Sequence, residues 1–222
     1  MDNGVDRLES TRLRAERLSA RHETSLALLL GDPRVGRTLG GVRSAEETRV
    51  FLTQHIQQWN ENGFGYWALY DLVSGEFVGR GGLERKSVEG RDEVEVGWAV
   101  HPESWNQGIA SEIGRLSIDV AFDRLGLTDL VAFTLPDNLP SRRVMEKCGF
   151  IDERDIVYKD WQHVLYRIRA GARYRCTSAS ALHTSTLVRT RRTTSSVNSV
   201  VEASPPRSAV RTPSETASSE DS

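Results

Sequence analysis

"EVEVGWAVHPESWNQGIASE", residues 93–112, changes period halfway along. Its first eight residues alternate, with Val94, Val96, Trp98 and Val100 on one parity and Glu93, Glu95, Gly97 and Ala99 on the other, which is the two-residue repeat of a strand. Past Gln107 the spacing lengthens. Ile109, Ile113, Leu116 and Val120 recur at four- and three-residue steps, predicting an amphipathic helix that ends near Gly126. Between the two, the helix begins on Asn106-Gln107-Gly108 and not on an ordinary capping residue. A strand ending at Val100, a short turn and a helix opening on Gly108, Ile109 and Ala110 bring unpaired backbone N–H groups to one point. The helix dipole and the side chains of Asn106, Gln107 and Ser111 add to their pull, so the stretch predicts an anion site that small residues leave open to a pyrophosphate. No Gly-Lys-Ser/Thr follows and the three-glycine spacing is missing, so it is neither a Walker loop nor a dinucleotide fingerprint.

Upstream, "TRLRAERL" (11–18) reads as a short strand, and "ARHETSLALLLGDP" (20–33) as a helix that Pro33 stops. Ser44-Ala45-Glu46-Glu47 is a capping box opening a helix through Leu52, Ile56 and Trp59 to a stop at Gly63. "YWALYDLV", "EFVGRGGLER" and "EVEVGWAV" follow at hairpin spacing and predict an antiparallel meander. The glycines of "GRGG" (79–82) mark a bulge or a close backbone approach. Downstream come a buried strand, "LVAFTL", a short helix, "SRRVMEKCGF", stopped by Gly149, and a closing hairpin from "ERDIVYKD" and "HVLYRIR" ending near Arg169. The order is that of an α+β domain without internal repeats.

An apolar fraction of 38% suffices for one core in 222 residues. From Gly171 onward 20 of 52 residues are Ser or Thr and the apolar residues follow no period, so residues 171–222 read as a disordered Ser/Thr-rich tail. Residues 1–8 read as a flexible N-terminus, leaving 9–170 for the domain. A net charge of −2 gives no basic field for nucleic acid. No long apolar run and no signal peptide are visible, which points away from a membrane and toward the cytoplasm. Two cysteines, Cys148 and Cys176, make a disulfide or a metal cluster a poor reading.

A second stretch, "DNLPSRRVMEKCGF" (137–150), places Asn138 and Ser141 at a helix start behind a buried strand. Taken together, "VGWAVHPESWNQGIASE" and "NLPSRRVMEKCGF" resemble the acyl-CoA signature of the GCN5-related N-acetyltransferase (GNAT) superfamily, and within it the RimJ/RimL-like branch, associated with acetylation of ribosomal-protein N-termini and other amines. The likeness runs over roughly residues 9–168, with "ESTRLRAERL" similar to the opening strand and "GFGYWALYDLVSGEFVGRGGL" to the central hairpin. It implies a GNAT fold: a central mixed, mostly antiparallel twisted sheet of about seven strands flanked by about four helices, with a V-shaped splay between the fourth and fifth strands. It also implies acetyl-CoA as cosubstrate with no metal, an amine acceptor that is a protein N-terminus or a small molecule, and a monomer or homodimer.

Residue by residue, the resemblance puts the pyrophosphate loop on Trp105, Asn106, Gln107, Gly108, Ile109 and Ala110, with Trp105 standing where many members have Arg or Gln. Trp98, Ala99 and Val100 match the segment whose backbone pairs with the pantetheine amides, and Asn138 the residue that bonds the pantetheine arm or nearby backbone. An amine attacks only when neutral, so a base must take its proton, and a donor must stabilise the departing thiolate. Glu95 is assigned as base, on the parity expected to enter the cleft, provided that burial beside Trp98 raises its pKa; Glu93 and Glu95 equally fit a solvated strand face or an acidic rim. Many members carry a Tyr acid where this chain has Met145, and the branch precedent moves that role to Ser141, whose other reading is a helix cap. Glu93, Glu95 and Glu103 together suggest a cationic acceptor, and Trp59, Phe64, Tyr66 and Trp67 fit either its pocket or the core. Cys148 reads as packing, His55 and His101 as isolated. The missing Tyr and the long tail leave a different-class alternative, a non-catalytic acyl-CoA-binding regulatory module.

Overall fold

Eight strands form one sheet: β1 (Arg7–Glu9), β2 (Leu13–Arg17), β3 (Tyr66–Asp71), β4 (Phe77–Val88), β5 (Arg91–Val100), β6 (Asp129–Thr134), β7 (Ile151–Tyr158) and β8 (Trp161–Arg169). Their order is β1-β2-β3-β4-β5-β6-β8-β7, and every pairing is antiparallel except that of β5 with β6. The structure, a computed structural model, describes residues 5–171. The tail expected after Gly171, with Cys176, lies outside the described residues.

The five α-helices are α1 (Glu23–Leu30), α2 (Pro33–Gly36), α3 (Ala45–Asn62), α4 (Ile109–Asp119) and α5 (Leu139–Lys147), and a π-turn over Val120–Arg124 extends α4. The capping box closes as read: Ser44 N–H donates to Glu47 at 2.7 Å, Glu47 N–H donates to the Ser44 hydroxyl at 3.2 Å, and Gly63 ends α3 at φ 71°. Pro33 does more than stop α1. Its fixed φ and missing N–H suit the first position of α2, and the Asp32 side chain accepts the Arg34 amide in front of it.

The fold is the expected one, and four particulars differ. The sheet has eight strands instead of about seven because β1 was missed; with Leu8 buried between exposed Arg7 and Glu9, three residues are too few to show a period. Its presence makes the splay fall between the fifth and sixth strands, although the segments are those expected. The count of about four helices becomes five through α2. The N-terminal boundary also moves, because Val5 is fully buried and its carbonyl accepts the Trp67 indole N–H at 2.8 Å.

The two parities of β5 separate two cores. Val94, Val96 and Val100 pack with Ile109, Ile113, Met145 and Phe150 under α4 and α5. Ala99 packs with Leu26, Leu29, Phe51, Leu52, Tyr66 and Ala68 under α1 and α3. Among the described residues no helix is long and apolar enough to cross a membrane.

Candidate functional site

At the head of α4, Gly108 takes φ 81° and Asn106 φ 60°, left-handed conformations that turn the chain sharply into the helix. The earliest helical bond runs from Glu112 N–H to the Gly108 carbonyl at 3.0 Å, and no side chain caps the amides of Ile109, Ala110 and Ser111. These three donors and the dipole behind them fit a pyrophosphate. Two expected contributors face elsewhere. The Trp105 indole donates to the Val100 carbonyl at 2.8 Å, tying the turn to the end of β5, and the Gln107 amide donates back to the Glu103 carbonyl at 2.9 Å.

The loop is braced by three residues that the sequence reading missed, Ser10, Arg12 and Glu112. Glu112 Oε1 accepts from the Ser10 hydroxyl at 2.7 Å and the Arg12 amide at 2.9 Å, and Glu112 Oε2 accepts from Arg12 Nη2 at 2.6 Å. Arg12 Nη1 then donates to the Gln107 carbonyl at 2.7 Å. Burial pushes the Glu112 carboxyl up, but the hydrogen bonds from Ser10 and Arg12 outweigh it and hold the group below its ordinary value. A glutamate in the opening turn of α4 was visible in the sequence, whereas a partner about a hundred positions away was not.

Beyond the loop, β5 and β6 share one bridge, Glu95 with Val131, so the backbone from Val96 to Val100 has no strand partner on the β6 side. That open edge contains Trp98, Ala99 and Val100, the segment expected to pair with pantetheine. The Trp98 ring turns the other way, toward α4, where it lies 3.8 Å from a Cβ built on Gly114. Asn138 is anchored on both sides: its Nδ2 donates to Thr134 Oγ1 at 2.8 Å, and its Oδ1 accepts the Ser141 amide at 3.4 Å as the cap of α5. The cap at this position is therefore Asn138, and the Ser141 hydroxyl has no hydrogen-bond partner among the described residues. No hydrogen bond joins Ser141 to Glu95. Met145 is 2% exposed and belongs to the core.

Glu95 is 6% exposed and sits directly across from Glu84 on β4. Lys86 Nζ lies between the two carboxylates, 2.5 Å from Glu95 Oε2 and 2.9 Å from Glu84 Oε2, with the rings of Phe133 and Tyr158 at 5.3 and 5.5 Å. The Tyr66 hydroxyl donates to Glu84 at 2.8 Å, and a Cβ on Gly97 would come within 2.4 Å of that oxygen, so only glycine leaves room for the ring. His55 stacks on Tyr66 at 4.6 Å, and burial lowers its imidazole to about 3, leaving it neutral. Burial raises the Glu95 carboxyl, against the pull of Lys86 and with the push of Glu84. The direction is the expected one and the cause differs: Trp98 has the opposite parity on β5, and the enclosing groups are Lys86, Glu84 and the aromatic rings around them.

Glu93 does not reach this cluster, because Arg167 holds it at 2.8 Å. Glu103 pairs with Arg34 at 3.2 Å and with His101 at 3.4 Å, so the three acids behind the cationic-acceptor expectation are all paired. Of the four aromatic candidates, Tyr66 joins the Glu84 cluster while Trp59, Phe64 and Trp67 are core. Cys148 is packing: its Sγ is 3.6 Å from the Ser111 carbonyl, and burial pushes the thiol up to about 11. In "GRGG", Gly79 and Gly82 take φ 153° and 146°, and a Cβ on Gly79 would lie 2.3 Å from the Ala99 carbonyl, the close approach expected there.

Known proteins resemble this chain in sequence and in fold. Residues 12–151 match the family model described as Acetyltransferase (GNAT) domain. YkkB, an uncharacterized protein of Bacillus subtilis, is 30% identical over 150 residues, covering 66% of this chain and 86% of its own. FsC-acetyl coenzyme A-N(2)-transacetylase of Aspergillus fumigatus is 31% identical over 154 residues, covering 64% of this chain and 63% of its own. The solved structure of RimL, a ribosomal L7/L12 alpha-N-protein acetyltransferase in complex with coenzyme A, superposes with a TM-score of 0.60 at 20% identity over 73% of this chain and 97% of its own, a likeness of fold. With a family match that spans more than half of its length, the chain belongs to the acetyltransferase (GNAT) domain family and is an acyl-CoA-dependent N-acetyltransferase.

Proposed function

We propose that this protein moves the acetyl group of acetyl-CoA directly to a primary amine in a ternary complex, the acceptor being a protein N-terminus or a small molecule, and that it stands in the RimJ/RimL-like branch. The observation that carries the reading is the position of Glu95, a buried carboxylate at the single bridge from which β5 and β6 diverge. When bound, acetyl-CoA supplies an acetyl thioester. The amides of Ile109, Ala110 and Ser111 hold its pyrophosphate, the open edge of Trp98, Ala99 and Val100 holds its pantetheine arm, and Asn138 fixes the start of α5 beside it.

Glu95 takes the proton that the amine loses as its nitrogen bonds the acetyl carbon, directly or through one water. Its raised pKa brings it closer to a useful base than a solvated glutamate, and Lys86 stabilises the carboxylate form. Ser141, whose hydroxyl has no hydrogen-bond partner among the described residues, stands at the α5 start and donates a proton to the sulfur as the C–S bond breaks. The overall change is one N–C bond made and one C–S bond broken; Glu95 then gives the amine's proton to solvent and solvent reprotonates Ser141, so that the net transfer is one proton from nitrogen to sulfur. Incubation with acetyl-CoA and a panel of amines and N-terminal peptides, followed by thiol detection, tests the reading. Stoichiometric free CoA and acetylated amine are expected, while tight acetyl-CoA binding without release across the panel would turn the assignment toward the non-catalytic module.

A further inference from the structure

One register line crosses the divide between the two halves of the sheet. Glu95 on β5 pairs with Val131 on β6, Val131 with Arg167 on β8, and Arg167 with Ile151 on β7. Arg167 therefore stands on the rung of Glu95, two strands away and on the same face. It is 9% exposed. Its Nη2 donates to Glu93 Oε1 at 2.8 Å, its Nη1 to Glu93 Oε2 at 3.0 Å and also to Asp129 Oδ1, and its Nε to Glu153 Oε2 at 2.5 Å. A single side chain on β8 thus holds carboxylates from β5, β6 and β7.

Glu93 comes two residues before Glu95, and Asp129 two residues before Val131. Because β5 and β6 run parallel, each carboxylate lies one step below the rung on its own strand, and the two share Nη1 of Arg167. Hydrogen bonds from Arg167 hold the Glu93 carboxyl below its ordinary value, so it is charged at neutral pH. Like charges on neighbouring strands repel, and a guanidinium fork between them turns the repulsion into a tie. Other ties across the divide lie elsewhere. On the opposite face Ile113 of α4 shares a core with Val96 and Leu130, and Glu89 on the β4–β5 turn reaches Arg154 on β7. Strand β5 is exposed at Arg91 and Asp92 and buried at Val94 and Glu95, so the Arg167 cluster stands at the boundary between the rung and water.

We propose that Arg167 is a positioning residue of the acetyl transfer: it clamps β5 to β6 just below their one bridge, and by keeping that rung shut it keeps the Glu95 carboxylate away from water. The inference rests on the reading of Glu95 as base and adds the residue that sets its surroundings. Facing Glu95 are Glu84, Lys86 and Arg80 from β4, Tyr66 from β3, His55 from α3 and Tyr158 from β7. Facing Arg167 and its partners are Arg91 and Glu93 from β5, Asp129 from β6, Glu153 and Arg154 from β7 and Arg169 from β8.

The test uses two variants of the full chain. Arg167→Met leaves Glu93 and Asp129 side by side without their cation, and a triple variant that adds Glu93→Gln and Asp129→Asn removes the repulsion without restoring an ion pair. Loss of the Arg167 charge alone would raise the Glu95 pKa, whereas opening the rung to water lowers it, so the sign of the shift decides. In Arg167→Met the acid limb of the pH–rate profile is expected about one pH unit below that of the wild type, with kcat down about tenfold. KM for acetyl-CoA should change less than about threefold, because the α4 amides and the β5 edge both lie on the five-strand side of the divide. The triple variant should return the limb to its wild-type position. A limb unmoved or moved upward in Arg167→Met, or still displaced in the triple variant, overturns the clamp; an arginine that only supports folding would lower the active fraction and leave the limb in place. If Arg167→Met yields no folded protein, the triple variant decides: folded with the wild-type limb it supports the clamp, and unfolded it overturns it. If no amine releases thiol, or if Glu95→Gln keeps the acid limb, the reading of Glu95 fails by itself and hydrogen–deuterium exchange decides this one. Protection over residues 94–96 and 130–132 should then fall in Arg167→Met and recover in the triple variant, and equal protection in all three proteins overturns the clamp.

Discussion

On the α4 side of β5 stand Val94, Val96, Trp98 and Val100; on the other side stand Glu93, Glu95, Gly97 and Ala99. The α4 side is apolar, and the chemistry beside it is carried by the backbone: three uncapped amides and an unpaired strand edge. The α3 side carries its chemistry in side chains, with Glu84, Glu95, Lys86, Tyr66 and His55 set close together on neighbouring strands and α3. Backbone donors impose little on sequence beyond glycine and small residues, so they present a generic anion site. Side-chain clusters must be built residue by residue, and they are where an acceptor is told from its competitors.

The largest effect expected from breaking this contrast is on the side-chain face. Glu95→Gln should lower kcat/KM by about 100- to 1,000-fold, as loss of a general base does. Because burial raises the folded pKa and the base acts ionised, wild-type activity falls with decreasing pH at a higher pH than an ordinary glutamate would set. A pH–rate profile should lose that acid limb in Glu95→Gln, and retention of the limb would assign it to another group.

Next in size is Gly97→Ala, which drives a methyl into the Tyr66 hydroxyl and should cost about 2 kcal/mol, seen as a lower Tm. On the backbone face, Gly108→Ala keeps the helix but strains a left-handed position at about 1 kcal/mol, which calorimetry should report as weaker acetyl-CoA binding by several-fold. Trp105→Phe removes the indole bond to the Val100 carbonyl and is expected to cost about 1 kcal/mol or less at this half-exposed ring, read by chemical denaturation. Comparable losses of acetyl-CoA affinity in Gly97→Ala and Gly108→Ala would show that the two faces are not separable.

The same contrast explains what was legible in the sequence. The change from period two to period 3.6 across Gln107 is local, so β5, α4 and the open helix start were readable, as was the α3 capping box. Asn138 was readable as a polar residue at a helix start, although its tie to Thr134 was not. Glu95 could be placed on the right parity, but Lys86, nine residues away through a hairpin, could not be seen as its partner, and Trp98 was taken for the residue that buries it. A salt bridge between strands is a property of strand register, and register is fixed by the packed sheet.

Five strands and three strands meet at one rung, Glu95 with Val131, and everything beyond it along β5 is gap. The proton affinity of that glutamate comes from being shut away from water. Widening the gap would admit solvent to the rung and make Glu95 a stronger acid, and filling it would do the reverse. On the assignment proposed above, loading the cleft and tuning the base are one mechanical event, and a ligand that merely occupies the gap is expected to alter the chemistry at its closed end.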